Sequence, residues 1–134
     1  MTTVLVTGAT DGLGRVVASD LASLGFDVLV HGRAAERAEA VASEIGAAGV
    51  HLADFSSLAQ VRELAASLPH VDVLVNNAGL ISEQRVVTGD GIELTFQVNH
   101  LAPSCSPRGC WSATRRAGSC TSPRPASSGP TSAT

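Results

Sequence analysis

Tyrosine and lysine are both absent from the 134 residues, so all nine basic side chains are arginine. Chemistry that needs a phenol or a primary-amine side chain is therefore excluded for these residues. Aromatic side chains are scarce, three Phe and one Trp, which leaves no array of stacking platforms for single-stranded nucleic acid beside the arginines. Cys105, Cys110 and Cys120 are odd in number, crowd the C-terminal end and lack CxxC spacing. Neither a zinc site nor a disulfide framework is supported, and no metal is expected. His31, His51, His70 and His100 show no ligand spacing and read as scattered surface or strand-end residues. No apolar run approaches the length of a membrane span, and the first one is too short for a signal peptide. A cytoplasmic location is the expectation. The net charge of −3, with acids and bases dispersed, argues against a general nucleic-acid or membrane surface.

Glycine, by contrast, is plentiful, and the chain is organised around one glycine-rich turn. Residues 3–7 (TVLVT) are an apolar, branched run that breaks at once into Gly8, Ala9, Thr10, Asp11, Gly12, Leu13 and Gly14. Behind the turn Leu13, Val16, Val17, Leu21 and Leu24 recur at helical spacing. The order is strand, glycine turn, helix. A helix start with free N–H groups and no side chains in front of it is a site for a phosphate.

The rest alternates in the same way. Gly25 stops the first helix, and residues 26–30 form a second apolar run ending in His31, Gly32 and Arg33. A helix over 34–45 follows, with Ala38, Val41, Ala42 and Ile45 on one face, and then a short strand over 50–52. Asp54 to Ser57 read as a turn with a capping serine, leading into a helix to about Ser67 that buries Leu58, Val61, Leu64, Ala65 and Leu68. Pro69 ends it, and residues 71–75 are a fourth strand that breaks into Asn76, Asn77, Ala78 and Gly79. This alternation predicts an α/β fold: a Rossmann-type doubly wound parallel sheet of about four strands in the order 3-2-1-4. A ligand crevice is expected where strands one and four end.

Four stretches, in this order and spacing, resemble the short-chain dehydrogenase/reductase family, and its retinol-dehydrogenase-like branch in particular. They are TGATDGLG at 7–14, the acidic turn at Asp54, NNAG at 76–79 and DGIELTFQVNHLAP at 90–103. The resemblance covers roughly the first hundred positions. It implies a dinucleotide-binding domain over 1–103, with Gly8, Thr10, Gly12, Leu13 and Gly14 in the cofactor turn, Asp54 at the adenine, and Asn76, Ala78 and Gly79 lining the cofactor. Asn99 matches the family asparagine that holds a proton-relay water. For Asp54 a helix-capping turn is the competing role, and for Asn77 a turn amide that satisfies backbone. After the second strand this family's NAD-binding members carry a carboxylate, whereas a 2′-phosphate needs a cation; Arg33 there points to NADP, with NAD as the alternative.

The family's proton transfer uses a tyrosine and a lysine four residues later, with a serine on the substrate. Without Tyr or Lys the dyad cannot be built from these residues. The expectation is a family member truncated before the dyad and inactive as written. The alternative is a catalytically silent nucleotide-binding module with a basic interaction tail; the oligomeric state is left open.

Residues 104–134 change character: Ser, Pro, Arg, Thr, Ala and Gly, with no acid. They read either as a disordered tail or as an out-of-frame one. After loss of one nucleotide, the first base of each present codon was originally a middle base, and a middle T always encodes an apolar residue. Ser104, Cys105, Ser106 and Cys110, Trp111, Ser112 would then restore two apolar triplets spaced like a helix face. Ser119, Cys120 and Ser122 would restore a strand.

Overall fold

Val4, Leu5 and Val6 are all buried and point alternately to opposite faces of the sheet, so both faces must be covered. The computed structural model describes residues 1–105. It contains the strands β1 (Thr3–Val6), β2 (Asp27–Gly32), β3 (Gly49–Leu52) and β4 (Val73–Val75), all parallel, in the order β3-β2-β1-β4. The expected order 3-2-1-4 is the one observed. Between the strands run α1 (Gly12–Ser23), α2 (Ala35–Ile45) and α3 (Leu58–Ser67).

Val4, Val6, Val28 and Val30 meet Ala18 of α1 and Ala38 and Val41 of α2 on one face. On the other, Leu5, Leu29 and Val71 pack with Leu68 just beyond α3. A third cluster, Ala53, Phe55, Val61 and Leu64 with Val98 and Ala102, joins α3 to the last helical segment. That segment starts as α4 (Leu94–Phe96), passes through a π-helical turn (Gln97–Leu101) and ends as α5 (Ala102–Cys105). The fold is thus doubly wound.

The helix starts and stops follow local chemistry. Gly46 closes α2 in the left-handed region at φ 68°, and Ser57 accepts from the Gln60 N–H at the start of α3. The first helix departs from its aliphatic pattern. Its buried residues are Gly14 and Ala18, while Leu13, Val16 and Leu24 are exposed. The helix start lies so close to the glycine turn that Gly14 faces it, whereas further along Leu21 is partly buried and packs against the core. The fourth strand is shorter than the expected 71–75; Val71 belongs to the core without pairing in the sheet. Residues 106–134, which hold most of the expected tail with Cys110, Cys120 and Trp111, lie outside the described residues. Among the described residues no helix is long and apolar enough to cross a membrane.

Candidate functional site

At the carboxyl ends of the strands, a crevice of about 240 Å³ opens between the turn after β1, the end of β2 and the segments after β3 and β4. Gly8, Thr10, Arg33, Asp54, Ala78 and Gly79 all line it.

The turn itself is built by close approach. Gly8 has φ 63°, and a Cβ on it would sit 2.8 Å from Ala78 Cα. A Cβ on Gly14 would overlap the Gly8 carbonyl and the Asn77 amide. These two glycines let the turn, the helix start and the end of β4 share one small volume. Gly12, also at positive φ (53°), has nothing within 4 Å of such a Cβ, so its side of the turn is open to a ligand. Among the described residues, no acceptor meets the N–H groups of Gly12, Leu13 and Gly14. Asp11 stands at the N-cap but its carboxylate makes no cap hydrogen bond. Three such donors at the positive end of a 12-residue helix could hold an anion.

Thr7 and Asn77 lock the two strand ends together. The buried Thr7 Oγ1 accepts from the N–H groups of Asn77 and Ala78, both at 3.0 Å, and donates to the Val75 carbonyl at 3.3 Å. Asn77 Nδ2 donates to the carbonyls of Thr7 (3.2 Å) and Gly8 (3.1 Å). The Asn77 amide therefore satisfies backbone. Its neighbour Asn76 is exposed and lies outside the crevice lining.

The far wall carries charge. Asp54 Oδ1 accepts from the Ser56 N–H (2.9 Å) and hydroxyl (2.7 Å), so one carboxylate oxygen closes a turn ahead of α3 while the residue still lines the crevice. Burial pushes the Asp54 carboxyl up, but the two Ser56 bonds and the nearby Arg33 guanidinium outweigh it and hold it below the usual carboxylate value. Arg33 is joined in the lining by Arg37 of α2. Arg37 was not among the residues singled out by sequence, and because Arg33 precedes the α2 N-cap Ala34 the two do not form a helical i, i+4 pair.

A family model described as short chain dehydrogenase matches residues 2–108. The chain belongs to the short-chain dehydrogenase family. A Streptomyces sp. (strain C5) protein provisionally named daunorubicin C-13 ketoreductase DnrU is 45% identical over 109 residues, covering 75% of this chain and 38% of that protein. Retinol dehydrogenase 13 of Homo sapiens is 39% identical over 110 residues, covering 74% of this chain and 33% of the relative. The crystal structure of a metagenomic short-chain oxidoreductase in complex with NADP is 31% identical, with a TM-score of 0.70 over 84% of this chain and 55% of that one. The chain spans about a third of the length of the curated relatives it matches.

In this family member Asn99 sits in the π-helical turn, outside the crevice lining. Its side chain is committed to Leu80: Oδ1 accepts from the Leu80 N–H at 2.8 Å and Nδ2 donates to the Leu80 carbonyl at 2.7 Å. Asn99 thereby holds the segment after β4, whose Gly79 and Leu80 do line the crevice. The helix that carries it is anchored by Gln97, which is fully buried. Gln97 Nε2 donates to the Phe55 carbonyl (3.2 Å) and to Asp90 Oδ2 (2.9 Å), and its Oε1 accepts from the Thr88 hydroxyl (2.5 Å). One glutamine thus ties the Asn99 helix to the residues next to Asp54. Neither Thr7 nor Gln97 was singled out by spacing: the partners of Thr7 lie 68 to 71 residues away, and the Phe55 carbonyl that Gln97 reaches lies 42 away.

His31 is a strand-end residue, one of the two expected placements; it is buried and lines the crevice. Its ring stacks on Phe55, centroids 4.6 Å apart.

Proposed function

We propose that these residues form the cofactor-holding part of an NADP-dependent oxidoreductase, with NAD as the alternative cofactor. The reaction class is hydride transfer between nicotinamide and an alcohol or carbonyl substrate. The observation that carries this reading is a set of three N–H donors at the α1 start, unpaired among the described residues and following Asp11 of the crevice lining, together with Arg33 after β2 and Arg37 of α2 in that lining. A dinucleotide with a 2′-phosphate has anionic groups for both. The NADP held by the metagenomic relative supports the same reading.

The residues present fit the group. The N–H groups of Gly12, Leu13 and Gly14 would take the pyrophosphate, Arg33 and Arg37 the 2′-phosphate, and Asp54 the adenine side. The crevice, about 240 Å³, is smaller than the roughly 300 Å³ at which small-molecule pockets begin. It suits the adenosine end, with the remainder of the molecule lying over the open side of the turn. When bound, the nicotinamide supplies or accepts the hydride. The chain's own residues bind and orient: Thr7 and Asn77 keep the turn against β4, and Asn99 keeps Leu80 in the wall.

Proton transfer is a separate matter. No tyrosine or lysine is present among the 134 residues, so they do not contain the family's dyad. This favours a second reading, a nucleotide-binding module that binds without turning over, and we expect binding without turnover from these residues alone. The cytoplasm is the compartment that fits the reading.

Calorimetry with NADPH and NADH tests it. Arg33→Ala and Arg37→Ala should each weaken NADPH about tenfold, the equivalent of about 1.4 kcal/mol, and leave NADH nearly unchanged. Equal losses for both nucleotides would refute the 2′-phosphate assignment, and no binding of either would refute the reading altogether.

A further inference from the structure

His31 joins three parts of the crevice through groups whose hydrogen-bonding sense is fixed. The Gly8 N–H donates to its Nδ1 at 3.1 Å, and its Nε2 lies 3.0 Å from the Ala53 carbonyl. A backbone N–H can only donate and a carbonyl can only accept, so Nδ1 carries the lone pair and Nε2 the hydrogen. Two backbone groups thus specify one neutral tautomer. A second bond, from the Ala9 N–H to the His31 carbonyl at 3.0 Å, fastens the same turn to the same residue. Gly8 is the first glycine of the turn and has the positive φ that sets its path. A proton on Nδ1 would place two donors against each other at the point where the turn leaves β1.

We propose that His31 is a positioning residue for the cofactor turn, and that a proton on its Nδ1 and a dinucleotide in the crevice exclude one another. The inference rests on the cofactor reading above and adds proton linkage to it. The surroundings favour the neutral ring. Burial lowers the His31 pKa, the Ala53 carbonyl raises it less, and His51, its register partner on β3, lowers it further. The other charged groups around the crevice are Asp11 from the glycine turn, Arg33 and Arg37 from the β2 end and α2, and Asp54 from the segment after β3. None of the four hydrogen-bonds the ring, and Asp54, the acid nearest in sequence to Ala53, gives its Oδ1 to Ser56. Among the described residues no carboxylate hydrogen-bonds the ring to stabilise an imidazolium.

The test is the dissociation constant of NADPH and of NADH for the full chain between pH 8 and pH 5, for the wild type and for His31→Gln. A glutamine can accept from Gly8 and donate to Ala53 but does not titrate. The wild type should lose about tenfold in affinity for each pH unit below the His31 pKa. His31→Gln should bind NADH with no such dependence. NADH is the deciding probe because it lacks the 2′-phosphate, which titrates in the same range. An NADH slope that persists in His31→Gln overturns the inference, as does a wild-type profile that stays flat through the His31 titration. Nitrogen NMR of the histidine rings in the free protein gives an arm that needs no ligand. It should report the Nε2–H tautomer at pH 7 and a Gly8 amide resonance that moves with the His31 titration; a Gly8 amide indifferent to that titration overturns the inference. If neither nucleotide binds at pH 8, the cofactor reading fails on its own, and the NMR arm still decides whether His31 positions the turn.

Discussion

Thr7→Val is the sharpest probe of how the site is held, because it removes one hydroxyl and keeps the shape. Thr7 is 1% exposed, so the substitution acts wholly inside the structure. Three hydrogen bonds change. The Asn77 N–H loses Oγ1 but keeps the Val75 carbonyl at 3.1 Å. The Val75 carbonyl loses the hydroxyl but keeps the Thr7 N–H at 3.0 Å. The Ala78 N–H loses its only acceptor among the described residues. One orphaned donor in a partly buried place costs about 1–3 kcal/mol, so a loss of about 2 kcal/mol is expected, roughly a thirtyfold fall in the folded-to-unfolded ratio. Thr7→Ser makes the opposite change, keeping the hydroxyl and deleting a buried methyl, for about 1 kcal/mol. Urea unfolding followed by far-ultraviolet circular dichroism would read both as falls in midpoint at constant slope. The expected order of stability is wild type, Ser, Val. Valine above serine would show that filled volume, and not the hydroxyl, holds β1 to β4, and would refute the argument.

Two other outcomes are expected. Stability should fall on acidification in two stages: His31 has a lowered folded pKa, so its contribution is complete above the unfolded value of about 6.5 and is lost as pH falls through the folded one. Asp54, also lowered, adds a second loss below about pH 4; a urea midpoint constant from pH 7.5 to 3 would contradict both. Separately, if residues 104–134 are out of frame, the gene read one nucleotide over beyond Pro103 should encode an apolar helix, a Val-rich strand and a YxxxK motif. Sequencing the coding region checks this, and a frame without those three elements would refute it.

The local rules of the chain were enough for the architecture. The apolar run at Val4, Leu5 and Val6, helical spacing at Ala38, Val41 and Ile45, and the stops at Gly25, Gly46 and Pro69 are short-range properties. With right-handed crossovers they yield the observed strand order. The glycine turn was legible for the same reason, since its spacing within eight residues is itself the motif. Side chains whose roles depend on distant partners were not legible. Asn76 and Asn77 look alike in the sequence, yet only Asn77 reaches the Thr7 and Gly8 carbonyls. Leu13 belongs to the helical stripe by spacing but is exposed, because it is Gly14 that faces the Gly8 carbonyl and Asn77 where α1 starts, while Leu21 of the same stripe does pack on the core.

By itself, then, the sequence determined a parallel α/β sheet, the place where its crevice opens and the absence of a tyrosine and lysine within these residues, because periodicity and composition are carried by neighbours along the chain. The tertiary structure alone decided that His31 is buried against Gly8 and Ala53, that Arg37 joins Arg33, and that Asn99 serves Leu80. Those are meetings across 19 or more residues for His31 and Asn99, and they exist only once the sheet has brought the strand ends together.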